Sequence, residues 1–239
     1  MSKKHFADFY DEISSRFDAN KRADKVLKYV RKYSPKSNKV LELGTGNGKV
    51  LSFFPKKFNL YGLDVEEKYL KLTKKKVPSA KLWKSSMHNF RSKEKFDVIF
   101  SVFDSINFLK NFDQWKQTFQ TVHKHLNDTG LFIFDCYTPQ VLKENKNSAT
   151  SFWEEKFGFA SNKGIVKNDK LTWHFRIFEK KKNNLYELHD FLFKERIFPI
   201  AKIEAELKKH FTILEKRDWE TLSRPTSKSL RVLFVARKT

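Results

Sequence analysis

Cysteine is almost missing from this chain of 239 residues: a lone Cys136 excludes an internal disulfide and a cysteine-only metal site, which fits a reducing cytoplasm. Glycine and proline are also scarce, at seven and six residues, so a cluster of glycines marks a backbone with a special task. No apolar run nears the roughly 20 residues that span a bilayer. Runs such as Asp97 to Phe103 stop after a handful of residues, so no transmembrane helix is expected. The lysines at positions 3 and 4 have no apolar segment behind them, so no signal peptide is expected either. Arginine is thin as well, with 10 against 39 lysines. The net charge of +21 attracts polyanions, yet arginine is the residue that reads guanine edges and clamps phosphates. An AT-rich coding sequence would also yield this much lysine, phenylalanine and asparagine. The charge therefore reads as a solvated lysine surface, with a nucleic-acid face as the less favoured alternative.

What is present suffices for a sizeable core: 39% of residues are hydrophobic and 15% aromatic, in a length suited to one α/β domain with an elaboration. Phe6 to Tyr33 carries helical spacing and reads as one or two helices, broken by Ser34-Pro35. Lys39 to Leu43 is a short apolar strand that runs into Gly44-Thr45-Gly46-Asn47-Gly48, followed by a helix through Val50 to Phe54 that Pro55 closes. The beat repeats with strands at Asn59 to Leu63, Ala80 to Lys84, Phe96 to Phe103 and Leu131 to Cys136, and with helices at Glu66 to Lys76 and through Phe112 to Leu126. Strands apolar on both parities imply a parallel sheet covered on both faces. After Pro139 the pattern changes to aromatic alternation in Phe152 to Ala160, Lys170 to Glu179 and Leu185 to Ile197, the last two joined by a loop at Lys180 to Asn184. This predicts antiparallel strands, with Trp173, Phe175 and Ile177 packed and Thr172, His174 and Arg176 toward solvent or ligand. A helix from Pro199 to His210 and strands at Phe211 to Asp218 and Leu230 to Val235 finish the chain.

Three of the seven glycines fall in one turn, Glu42-Leu43-Gly44-Thr45-Gly46-Asn47-Gly48. A Walker loop is excluded, since Leu43 stands where its first glycine belongs and Val50 replaces the magnesium-binding hydroxyl. A dinucleotide fingerprint needs a glycine where Lys49 stands and survives only as a weak alternative. The pattern acid-x-Gly-x-Gly-x-Gly matches throughout, and Asp64 ends the second strand, where an acid can accept hydrogen bonds from ribose hydroxyls. The alternative for Asp64 is a helix N-cap ahead of Glu66 and Glu67, and for the glycines a plain strand-helix corner.

On these residues the chain resembles the class I S-adenosylmethionine-dependent methyltransferases. The strand order, the Phe96-Asp97-Val98-Ile99 run, the Asn127-Asp128-Thr129-Gly130 turn and two closing strands extend the likeness, which is strong over Lys39 to Tyr137. Phe9-Tyr10-Asp11, Phe90-Arg91, Phe103 to Leu109 and the late antiparallel insertion are similar to small-molecule, sugar-amine N-methyltransferases. The resemblance implies a Rossmann-like, doubly wound α/β fold with a mostly parallel seven-stranded sheet. It divides the chain into a core of 1–146 and 199–239, which binds S-adenosyl-L-methionine, and an antiparallel β insertion at 147–198 that serves as a lid or dimer surface.

The implied cofactor residues are Tyr10, Glu42, Gly44, Thr45, Gly46, Gly48, Asp64, Val65, Ser86, Met87, Ser101 and Phe103, with Tyr10 closing over the methionyl end. Relatives commonly carry an acid for the adenine amino group after the third strand, whereas Ser85-Ser86-Met87 stands here, so Ser86 brings a hydrogen bond and no charge.

Methyl transfer is an in-line displacement, which alignment in a dry pocket can accelerate without a base. If a base is used it belongs at the carboxyl ends of the fourth and fifth strands, which makes Asp104, Tyr137 and, from the insertion, His174 the catalytic candidates. Asp104 could instead start a helical turn, and His174 could be structural. The seven histidines show no compact ligand spacing, so no metal is expected. The Asn/Asp-Pro-Pro-aromatic run of base-amine methyltransferases is missing after the fourth strand, and Asp135 and Tyr137 beside Cys136 would oppose a thiolate nucleophile. The expected acceptor is a small molecule, with nitrogen or oxygen as nucleophile, acted on by a cytoplasmic monomer or homodimer. An RNA methyltransferase and a non-catalytic cofactor-binding protein are the alternatives.

Overall fold

The computed structural model describes residues 4–239, so positions 1–3 of the expected core lie outside the described residues. Seven strands form one sheet: β1 (Lys39–Leu43), β2 (Asn59–Asp64), β3 (Lys81–Lys84), β4 (Phe96–Ser101), β5 (Leu126–Tyr137), β10 (Phe211–Asp218) and β11 (Arg231–Lys238). Their order is β10-β11-β5-β4-β1-β2-β3, parallel except for β11, which runs antiparallel to both β5 and β10. Strand order reverses between β1 and β4, and open α/β sheets bind ligands at such a switch point, outside the carboxyl ends of the strands.

Alternating side chains of the sheet feed two cores. Leu41, Leu43, Phe132 and Phe134 pack with Trp115 and Phe119 of α5 (Phe112–His125) and Ile203 of α7 (Ile200–Leu207). Val40, Val98, Phe100 and Ile133 pack on the other face with Val26, Leu27 and Val30 of α2 (Ala19–Tyr33). Burial on both faces explains why these strands read as continuous apolar runs. Two short helices complete this half of the core, α3 (Lys49–Ser52) after β1 and α4 (Glu67–Lys76) after β2.

The expected turn at Asn127 to Gly130 is drawn into β5. Phe96 pairs with Leu126 and Val98 with Leu131, so the extra residues form an irregularity inside the strand. Asp97 fixes this corner, accepting from the backbone N–H of Asn38 and Lys39 at 2.8 and 2.9 Å and from Asn127 at 2.6 Å.

The segment after β5 holds a second, four-stranded antiparallel sheet in the order β6-β7-β8-β9: β6 (Ser151–Glu155), β7 (Gly158–Lys167), β8 (Lys170–Lys180) and β9 (Tyr186–Arg196). The single strand expected at Phe152 to Ala160 is instead a hairpin, because the chain reverses at Lys156-Phe157 and β7 continues to Lys167. Polar residues at Asn162-Lys163 hid that continuation from the alternation pattern. A short helix after Pro139, α6 (Gln140–Asn145), was also not expected.

One face of this sheet looks inward. Ala160 and Ile177 are buried there against Phe6, Phe9 and Ile13 at α1 (Ala7–Ile13), with Trp153, Phe175, Phe191 and Phe193 around them. Leu171 and Trp173 join Val141 of α6 and Tyr137. The expected packing of Trp173, Phe175 and Ile177 is therefore present, and Arg176 is exposed on the opposite face.

Candidate active site

The glycine turn between β1 and α3 is shaped by close approach. A Cβ on Gly44 would lie 2.9 Å from Ser105, and one on Gly48 would lie 2.8 Å from Thr73 on α4, both at positive φ. Gly48 thus serves the packing of α3 on α4. Thr45 Oγ1 donates to Glu42 at 2.9 Å, and Asp64 accepts from the N–H of Gly46 and of Glu66, each at 2.9 Å.

Glu42 is fully buried, and burial pushes its carboxyl up to about 8; the Asp64 carboxyl is raised for the same reason. The N-cap position of α4 is Glu66, so Asp64 turns the chain into that cap without being it, and each carboxylate oxygen keeps a second lone pair for a ribose hydroxyl.

Tyr10, Arg22, Glu42, Gly44, Thr45, Gly46 and Phe103 line a cleft of about 60 Å3 at the switch point. Asp11 latches α1: Asn47 and Lys76 donate to its carboxylate at 2.6 and 2.8 Å. A larger concavity of about 700 Å3 lies between α4 and β3, lined by Lys71, Lys74, Lys81 and Lys84. It holds none of the residues expected to carry chemistry.

Val65 is 55% exposed beside Asp64, an apolar surface suited to a purine, and Met87 reaches back toward Gly44. Ser86 Oγ is engaged with His88 Nδ1 at 2.7 Å. Ser101 is fully buried and its hydroxyl donates to the Leu43 carbonyl at 3.1 Å, tying β4 to β1. Arg22 was not anticipated. Its guanidinium stacks 3.7 Å above the Phe103 ring, and among the described residues it has no carboxylate within salt-bridge reach. Sequence offers little hint of it, because Arg22 is one charge among many on an amphipathic helix.

At the end of β4, Phe103 and Asp104 both adopt left-handed backbone, with φ of 63° and 52°. Such residues cost about 1–3 kcal/mol each and persist only where the surroundings impose them. The buried Asp135 does so, accepting from the N–H of Phe103 at 2.9 Å and of Asp104 at 2.6 Å. The Asp104 carbonyl also begins the short helical turn at Ser105–Phe108 through Asn107.

The Asp104 carboxylate is paired with Arg231 from the first position of β11, whose guanidinium lies 3.8 Å from Asp135 and 4.6 Å from the Tyr137 ring. Burial and the nearby Asp104 push the Tyr137 hydroxyl up, so it is protonated in the folded chain. Burial likewise pushes the Cys136 thiol well up, which fits an inert core residue.

Glu195 also belongs to this cluster and escaped the sequence reading. It follows Phe191 and Phe193 on the inward face of β9, and an acid at an apolar parity was the signal that could have found it. Its Oε1 accepts from Trp173 Nε1 at 2.9 Å. Asn107 fastens β9 to β5, donating to the Arg196 carbonyl at 2.8 Å and accepting from the Tyr137 N–H at 3.0 Å.

His174 is not brought to this cluster. It is the residue after Trp173, so it points to the opposite face of the sheet, where it pairs with Asp190. Glu179, Glu187 and His189 gather elsewhere on the inserted sheet, but Lys4 and Lys181 already supply the cations there, at 2.6–2.9 Å.

Comparison with known proteins agrees with this geometry. Residues 40–130 match the family described as "Methyltransferase domain". The chain is 24% identical over 249 residues to the candidate methyltransferase YqeM of Bacillus subtilis (strain 168), covering 100% of this chain and 98% of that one. It is 28% identical over 153 residues to a dTDP-3-amino-3,4,6-trideoxy-alpha-D-glucopyranose N,N-dimethyltransferase of Streptomyces venezuelae, covering 62% and 65%. A crystal structure of an S-adenosylmethionine-dependent methyltransferase from Clostridium acetobutylicum ATCC 824 shares the fold, with TM-score 0.85 at 23% identity over 98% of this chain and 97% of that one. So does DesVI of Streptomyces venezuelae, with TM-score 0.81 at 20% identity over the full length of both. Among the described residues no helix is long and apolar enough to cross a membrane.

Proposed function

We propose that this chain is a class I S-adenosylmethionine-dependent methyltransferase that moves a methyl group to a nucleophilic atom of a small molecule enclosed beneath its inserted sheet. The observation that carries the reading is the junction at Phe103-Asp104, where a glycine-turn cleft meets a buried acid cluster roofed by β8 and β9. S-adenosyl-L-methionine supplies an electrophilic methyl on a sulfonium.

Asp64 would hold the ribose, Val65 and Met87 the adenine, and the backbone at Gly44 and Gly46 the centre. Arg22 is a half-buried guanidinium with no carboxylate partner among the described residues, and the carboxylate of the methionyl end is the anion that would fit it. Tyr10 lies 3.8 Å from the position of a Cβ on Gly46 and would close over that end. Phe103 and Arg22, stacked together, form the wall between cofactor and acceptor.

The inserted sheet acts as a lid: with α1 it shuts the acceptor side from water, which strengthens every electrostatic contact inside. A sugar-amine acceptor is consistent with the Streptomyces venezuelae relative, whose name specifies such a substrate. Calorimetry with S-adenosylmethionine, followed by transfer of its labelled methyl into fractionated cell extract, tests the reading. Binding with label in low-mass products is expected. Absence of binding, or label found only in RNA, overturns it.

A further inference from the structure

We propose that Glu195 and Asp104 form the acceptor-binding site for an amine, with Glu195 taking the proton that must leave the amine nitrogen before methyl transfer. The proposal rests on the methyl-transfer reading above and names the acceptor's chemistry.

Around the end of β4 stand three carboxyls, Asp104, Asp135 and Glu195, which are 5%, 0% and 1% exposed. The titratable and charged groups facing them are Arg231 from β11, Tyr137 from β5 and, beyond Phe103, Arg22 from α2. Asp135 is satisfied by two backbone N–H groups and lies near Arg231. Asp104 is paired with Arg231 directly.

Glu195 is the member left over. Trp173 satisfies Oε1, but Oε2 is buried without a hydrogen-bond donor, and the carboxyl lies within hydrogen-bond reach of Asp104. An unpaired buried charge is strongly unfavourable, so this position calls for a proton or a cationic ligand. Burial and the neighbouring Asp104 hold the Glu195 carboxyl well above its ordinary range, so the free protein keeps a proton there.

An ammonium answers the same need. It brings a positive charge and donors to Glu195 Oε2, the buried oxygen of the cluster that has no donor. A hydroxyl acceptor brings no charge and would leave Glu195 protonated as in the free protein, so only a cationic acceptor draws on the ionised carboxylate. When the ammonium enters, the resident proton passes to water, and one N–H proton of the ammonium then moves to Glu195 Oε2, leaving the nitrogen a lone pair. The new N–C bond forms from that pair, the electron pair of the broken C–S bond stays on sulfur, and the product leaves as a methylated ammonium. Glu195 returns its proton to water. A carboxyl raised by burial suits this step, because efficient proton transfer wants a base poised near working pH.

Three measurements decide it. First, carbon NMR of protein labelled in its glutamate carboxyls, with the Glu195 signal assigned from Glu195→Gln, should show that carboxyl titrating well above the ordinary carboxylate range; ionisation within that range overturns the proposal. Second, transfer from S-adenosylmethionine is tested on dTDP-3-amino-3,4,6-trideoxyglucose, on its 3-hydroxy counterpart and on the amine fraction of a cell extract. Wild type should methylate amines only. Glu195→Gln should lose at least a hundredfold in kcat and the pH dependence of kcat/KM, while its calorimetric affinity for S-adenosylmethionine stays within twofold. Third, Trp173→Phe, which frees Glu195 Oε1, should lower kcat roughly tenfold and shift the pH profile, a change that a packing defect alone would not produce. Undiminished amine methylation by Glu195→Gln, or products methylated only on oxygen or carbon, overturns the amine site while leaving the methyltransferase reading intact. A wild type that binds the cofactor yet methylates nothing counts against both, and one that binds no cofactor sinks the earlier reading first.

Discussion

At the β1 and β2 end of the cleft, Glu42 and Asp64 find their donors close by in the chain, Thr45 for the first and Gly46 and Glu66 for the second. At the β4 and β5 end, Asp104 is served by Arg231, 127 positions away, and Glu195 by Trp173, 22 positions away on the adjacent strand of the inserted sheet. Both ends bury acids against the cost of desolvation. One end finds its compensation within one strand-turn-strand unit; at the other the Asp104–Arg231 pair assembles only when β4 and the last strand have come together. The acid cluster is therefore a sensor of tertiary integrity, and the glycine turn much less so.

The largest effect should come from cutting the long-range link. Arg231→Met keeps a side chain of similar reach but leaves Asp104 and Asp135 buried without their cation, and breaking a buried pair in this way costs about 3–5 kcal/mol. Chemical denaturation should show that loss. A loss below 1 kcal/mol would mean that the cluster relaxes into water and that the two ends do not differ as described.

A local acid should instead reveal itself through pH. Glu42 is held at about 8 by burial, against an ordinary value near 4.5, so the folded chain binds more protons than the unfolded chain between those limits. Its contribution to stability is fully present below about pH 4.5 and is lost as pH rises through about 8. Glu42→Gln keeps an oxygen for Thr45 and has no proton to lose, and should flatten this part of the profile by roughly 3 kcal/mol. Denaturation at pH 5 and pH 8.5 checks it; parallel losses in both proteins would show that Glu42 is ionised in the fold.

Asp64→Ala should act mainly on the ligand. It removes the contacts to Gly46 and Glu66 and the proposed ribose acceptor, and should weaken S-adenosylmethionine by about 1.5–3 kcal/mol, the range for hydrogen bonds to charged groups. Unchanged calorimetric affinity would reduce Asp64 to a turn residue ahead of α4.

The same contrast accounts for what the sequence disclosed. Gly44, Gly46, Asp64 and the parallel strands were legible because a strand, a tight turn and an acid lie within one short stretch, and their physics is local. Ser101 and Gly48 carried the right residue types, but their partners, the Leu43 carbonyl and Thr73, are set by the packing of neighbouring elements. Glu195, Arg231 and Arg22 were missed for a related reason: each is unremarkable among its sequence neighbours and gains its meaning from charges on other elements. The hairpin at Lys156-Phe157 was missed because no glycine or proline stands at its tip, and Gly158 comes only after the reversal, with φ of 131°.

His174 gives the smallest expected effect and a clean discrimination. Its spacing from Trp173 is one residue, which in a strand places it on the outward face, and its contact is with Asp190, itself half-exposed. A surface pair of this kind contributes little, about 0–1 kcal/mol, because water screens it and two side chains must be ordered to make it. His174→Ala should therefore change stability by less than about 0.5 kcal/mol and leave methyl transfer and its pH profile as in wild type. Activity assays across pH 6 to 9 beside Glu195→Gln provide the control. A loss of the acidic limb in His174→Ala, with Glu195→Gln unaffected, would move the base to the outward face and reverse the assignment of lid and site.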